Sequence, residues 1–136
     1  MKRKEPTAGI LRKKDDIEFE IAFYESILTN APNFIEALSA IGDLYTRVGY
    51  WQKGLDVDLK LSRLRPQDPV VRYNLACSYA LLNQIHLSLS ALSKAVELGY
   101  DDFAHLKKDA DLENLLKDQH VRAFIRGLEK RKKLLA

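Results

Sequence analysis

One cysteine, Cys77, stands in 136 residues, so no disulfide can form within the chain. A lone thiol fits a reducing compartment, and on that ground the expected location is cytoplasmic. No apolar run approaches the roughly 18 residues that a membrane-spanning helix needs. The first residues, MKRKEPTAGILRKK, carry the positive charge of a signal peptide but no apolar core follows them. A mitochondrial presequence would be rich in serine and poor in acid, whereas this stretch has no Ser and contains Glu5.

The motifs of common enzymes are also missing. There is no Gly-rich phosphate loop, no HExxH and no GxSxG. His86, His105 and His120 lie far apart, with no cysteine or carboxylate pair at ligand spacing, so no metal or other cofactor is expected. Asp101-Asp102 and the pair Asp109/Asp111 fit helix caps better than acid–base chemistry. Cys77 follows Ala76 without a His or Asn placed as its base, and is expected to be a small packing residue. The expectation is a protein without enzymatic activity.

Charge is present but unevenly placed. Residues 1–14 carry a net +5 and residues 122–136 another +5, while the total is +3, which leaves −7 for residues 15–121. A nucleic-acid reader would spread its basic groups along one face, so nucleic acid is not the expected partner. The basic ends are expected to be a solvated tail and a solvated last helical turn.

What the chain does have is a period. From Ile35 to Asp68 it reads as two amphipathic helices joined at Val48-Gly49-Tyr50 and stopped by Arg65-Pro66. Moved on by 34 residues, Ile41 falls on Leu75, Gly42 on Ala76, Tyr45 on Tyr79, Gly49 on Asn83, Leu55 on Leu89 and Leu61 on Ala95. Moved back, Leu55 falls on Ile21, Leu61 on Ile27 and Pro66 on Pro32. A small residue at 42 or 76 lets paired helices approach, and large apolar residues at three- and four-residue spacing fill the seam. Each pair leaves one apolar face open that only a neighbouring pair can cover. Gly49 and Asn83 share one register position, at a turn that calls for a left-handed residue.

With its 34-residue period and its Leu38, Ile41, Gly42, Tyr45 spacing, the chain resembles the tetratricopeptide repeat (TPR) family. The resemblance covers about residues 15–128 and is strongest over 35–98. It implies an all-α fold, a right-handed TPR-like solenoid of about seven or eight helices. Departures from the family pattern are Arg72, where a large apolar residue is usual, and Asp58 and Leu92, where an aromatic is usual. Tyr100 stands where the first full repeat has Pro66.

Taken in order, residues 1–14 are expected to be a basic disordered tail and 15–136 a single domain. Asp15, with Glu18, is expected to cap a helix running to Asn30, a half-repeat at 15–34. Asn33 with Glu36 is expected to cap the first helix of the repeat at 35–68. Asp68-Pro69 opens the repeat at 69–102. Residues 103–136 supply closing helices: short pieces at 103–107 and 111–116, then a last helix capped by Asp118 with a stripe of Val121, Phe124, Ile125 and Leu128.

For function, the resemblance implies a concave groove lined by the first helix of each pair. Mapped by register, the binding residues are Glu36, Ser39, Asp43 and Arg47, then Tyr73, Asn74 and Cys77. Only Asn74 matches the clamp with which some TPR domains hold a chaperone's C-terminal carboxylate, and Glu36 and Asp43 would repel an acidic terminus. A groove two repeats long could also be partly covered by the closing helices. The implied function is an adaptor or scaffold for a protein or peptide segment. Two rival readings are a specialised secretion chaperone, and association with RNA or a membrane surface through the basic ends, which strong salt dependence would mark.

Overall fold

The computed structural model describes residues 6–135. Helix makes up most of the described residues, and no strand occurs among them. The order is α1 (Pro6–Asn30), α2 (Ile35–Arg47), α3 (Trp51–Leu64), α4 (Pro69–Leu81), α5 (Ile85–Glu97), α6 (Phe103–Lys108), a 3₁₀ turn (Ala110–Leu112), α7 (Glu113–Leu116) and α8 (Gln119–Leu135). The four central helices are the two helix pairs that the period predicts.

Helix α1 begins at Pro6, so residues 6–14, expected to be tail, are helical and Asp15 sits mid-helix instead of capping one. Proline suits the first turn of a helix, and Ala8, Leu11, Arg12, Lys13 and Lys14 are good helix formers. Residues 1–5 of the expected tail lie outside the described residues. The second difference is at α2. Its cap is Phe34, with no side-chain cap bond, so Asn33 does not take the role its spacing suggested.

Other local signals act as expected. Gly49 has φ +87° and Asn83 has φ +59°, so the two equivalent turns share the left-handed conformation. Asp68 accepts bonds from the amides of Val70 (2.9 Å) and Val71 (3.3 Å), with Pro69 opening α4. Asp102, Asp109 and Asp118 accept from His105, Asp111 and His120 in the same way.

The described residues fall into two compact units, one ending at Val57 and the other starting at Asp58, a division inside α3. In the first, Ile21 of α1 packs with Ile41, Leu44 and Tyr45 of α2, and Ile17, Tyr24, Leu28, Val48 and Val57 close around them. The Tyr45 hydroxyl donates to Glu25 at 2.7 Å. Burial, with Glu25 beside it, pushes that phenol above its usual range. Gly54 allows close approach: a Cβ there would meet Thr46 Oγ1 at 3.2 Å.

In the second unit α4 packs along α5, the 3₁₀ turn and α7 lie on α4, and α8 lies on α5 and α7. Ala76, Leu92, Ala95, Leu106, Leu112 and Ile125 are fully buried there. Ser88 takes the place of Gly54 one repeat on, and its hydroxyl is satisfied by the Ala76 carbonyl at 2.7 Å. Of the stripe expected on α8, Val121, Ile125 and Leu128 are buried but Phe124 stays 40% exposed. Tyr79, equivalent to the buried Tyr45, is half-buried.

Candidate functional site

Four of the seven residues predicted for binding lie on α2. Glu36, Ser39, Asp43 and Arg47 recur at three- and four-residue spacing, so they share one face, and all are exposed. The opposite face of the same helix holds Ala37, Leu38, Ile41, Leu44 and Tyr45 in the core. Asp43 and Arg47 form an exposed ion pair at 3.6 Å. Such a pair adds little stability, so both charges remain available to a ligand. The face offers carboxylates, a hydroxyl and a guanidinium.

The remaining three, on α4, part company. Asn74 is exposed, whereas Tyr73 and Cys77 are buried at 4% and 6%. The Tyr73 ring stacks on Tyr100 at 4.3 Å with 10° between planes, and His105 lies 5.9 Å from it. Its hydroxyl donates to Asp109 Oδ2 at 2.6 Å. The Cys77 thiol donates to the same oxygen at 3.7 Å, and His105 Nε2 lies 3.3 Å from it. The closing segment therefore covers this side of α4. Tyr73 and Cys77 anchor that segment and offer no area to a partner.

Asp109 is the hub of this arrangement, and nothing in the sequence flagged it except its role as a cap. Its Oδ1 accepts from the amide of Asp111 at 3.0 Å, while Oδ2 takes the bonds from α4. The ligand atoms of Cys77, Asp109 and Asp111 lie within 4.8 Å of one another, a geometry a divalent cation could occupy. The chemistry of the donors favours hydrogen bonding. Burial first, then the neighbouring Asp109, raises the Cys77 pKa, so the sulfur keeps its proton at neutral pH. Burial, then Cys77 and Asp109, likewise hold the Tyr73 phenol protonated. A protonated thiol is a poor metal ligand and a poor nucleophile.

Asp58, a departure from the TPR pattern, is also buried. Ser78 of α4 donates to its carboxylate, and burial, offset in part by that bond, raises its pKa to about 6. It sits away from solvent and is a packing feature of α3.

No protein-family model matches the chain. A stretch of 50 residues is 48% identical to a chloroplastic protein of Arabidopsis thaliana, covering 37% of this chain and 15% of the plant protein. Among solved structures, MamA (41-end) of Desulfovibrio magneticus RS-1 superposes with a TM-score of 0.69 at 17% identity, over 89% of this chain and 70% of that one. A MamA RS-1 double mutant gives 0.69 at 18%, over 90% and 69%, and a crystal structure of MamA gives 0.68 at 17%, over 93% and 74%. The fold is all-α and TPR-like. At such identities the likeness concerns the fold alone. No helix among the described residues is long and apolar enough to cross a membrane.

Proposed function

We propose that the protein is a non-enzymatic scaffold that binds a protein or peptide segment, with the outward face of α2 as its principal contact. The observation that carries this reading is the pairing of a TPR-like fold with an exposed, polar α2 face at Glu36, Ser39, Asp43 and Arg47. In the other unit Asn74 of α4 is exposed by itself, with an amide that can both donate and accept. Asp43 selects a segment with a basic residue, since an acidic terminus would meet Glu36 and Asp43. Cys77 fits a reducing compartment, and the cytoplasm is the location we propose. The plant protein matched over 50 residues is chloroplastic, which makes the plastid the alternative; imaging of a tagged chain separates the two.

The test is selection from a phage-displayed library of random peptides, followed by titration of the enriched sequences. Basic extended peptides are expected, with Asp43→Lys and Glu36→Lys each weakening binding at least tenfold at an unchanged Tm. Enrichment without any effect of either substitution would move the binding surface elsewhere.

A further inference from the structure

Two surfaces remain that the scaffold reading does not use. The first is the outer face of α1. Ile17, Ile21, Tyr24 and Leu28 turn towards α2, and at 100° per residue the opposite face carries Asp15, Asp16, Phe19, Phe23 and Ser26. Phe19 is 74% exposed and Phe23 54%. The 34-residue register places Phe19 with the exposed Lys53 and Leu87, and shows why Phe23 is uncovered. Phe23 is equivalent to Val57 and Ala91, and Glu20 to Gly54 and Ser88. In α5 Ser88 and Ala91 are buried, and Gly54 of α3 lies against Thr46. In α1 both equivalents face solvent, and their bulk would keep a helix of the same chain from the approach that Gly and Ser allow. Terminal repeats normally present a polar outer face; two phenylalanines one turn apart are an apolar anchor pair.

The second is a groove of about 440 Å³ between α5 and α8, with Val96, Leu128 and Leu135 as apolar lining and Arg131 and Lys132 at its edge. It adjoins a further depression lined by Leu89, Lys94 and Phe124. A dry cavity of about 150 Å³ holds one benzene, so this groove has room for two phenyl rings. The lengths agree as well. Asp15 to Ser26 and Phe124 to Leu135 are each eleven residue steps, about 17 Å of helix.

The charges are opposite. Asp15, Asp16 and Glu20 flank the phenylalanines, and none is paired among the described residues. Lys13 and Lys14 line a depression with Ile17 and Val48; by the same spacing Arg12 falls on the phenylalanine face, one basic position against these acids. Around the groove, Arg131 and Lys132 likewise have no carboxylate partner among the described residues, while Glu97, the acid in its lining, is paired with Lys94 at 3.1 Å.

We infer that the chain assembles head to tail with a second copy of itself, the acidic phenylalanine face of α1 in one copy seating in the basic α5–α8 groove of the next. The contact is heterologous, so it propagates into rings or chains. One helix in one groove is a small interface, hence a weak and salt-sensitive one. None of the α2 residues assigned to partner binding takes part, so the two readings stand or fall separately.

Sedimentation velocity of the intact chain, from about 5 µM to about 500 µM, spans the range where such an interface dissociates. Oligomers are expected to grow with concentration at low salt and to fall back to monomer at about 0.5 M salt. Two variants then separate the surfaces: Phe19→Ser with Phe23→Ser, and Arg131→Glu with Lys132→Glu. Each should be monomeric alone, with unchanged helical ellipticity. Mixed in equal amounts they should give a dimer and nothing larger, because each keeps the surface the other has lost. A monomeric wild type at all concentrations, variants that associate like the wild type, or a mixture that stays monomeric would each overturn the proposal.

Discussion

Asp58 shows how one residue can work against the fold that contains it. It stands on α3 where the TPR pattern calls for an aromatic, it is 8% exposed, and Ser78 is its hydrogen-bond donor. Burial raises its pKa from 3.8 to about 6. Below about pH 4 the carboxyl is protonated in folded and unfolded chains alike, and it costs nothing. As pH rises through 4 to 6 the unfolded chain releases the proton before the folded one does, so stability falls with pH and the loss is complete above about pH 7. The shift corresponds to roughly 1–3 kcal/mol. Asp58→Asn keeps an acceptor for Ser78 and abolishes the charge. In urea unfolding its stability relative to wild type is expected to improve by about that amount between pH 4 and pH 7. A gap that does not vary with pH would mean that Asp58 ionises freely in the folded protein. The sequence marked Asp58 as a departure, but its burial and its partner twenty residues away were not legible, since neither follows from local pattern.

At the scale of the element, helix ends were read best where a side chain caps its own turn. Asp68, Asp102, Asp109 and Asp118 all accept amide bonds two or three residues on, a geometry that local spacing dictates. Where the cap is weak, spacing misled: α2 starts after Phe34 without a side-chain bond. The length of α1 was missed for a related reason. Helix propensity in residues 6–14 outweighed the charge and the proline that suggested disorder. Helix α8 carries the clearest prediction. Val121, Ile125 and Leu128 are buried, and their removal leaves the lining of α5, including Val96, without a cover. Each buried aliphatic lost costs on the order of 2–5 kcal/mol, a large part of the stability of a small domain. Deletion of residues 119–136 is therefore expected to give aggregation or a non-cooperative melt by circular dichroism. A soluble truncation with an unchanged Tm would make α8 a separate arm.

At the scale of the whole molecule, α3 belongs to both compact units, entering at Trp51 and leaving at Leu64 across the division after Val57. Neither unit keeps a complete α3 if the other unfolds, so the chain is expected to unfold in one transition. Trp51 is the single tryptophan and reports on the first unit, whereas far-UV ellipticity reports on all helices. Coincident midpoints for the two signals in guanidinium check this; midpoints apart by more than the fitting error would show two independent foldons.

By itself the sequence determined the all-α repeat, its 34-residue period, the helix pairs and the left-handed turns at Gly49 and Asn83. These depend on propensity, periodicity and turn chemistry, which act over a few residues and recur at each repeat. Only the tertiary structure decided which faces stay open. Tyr73, Asn74 and Cys77 shared one predicted surface, yet Tyr73 and Cys77 are taken by Asp109, thirty-six and thirty-two residues further on, while Asn74 remains in water. The same holds for Phe23 of α1, whose place in the period falls on the buried Ala91. Periodicity tells which side chains share a face; what lies against that face depends on where distant segments come to rest, and that is a property of the folded chain.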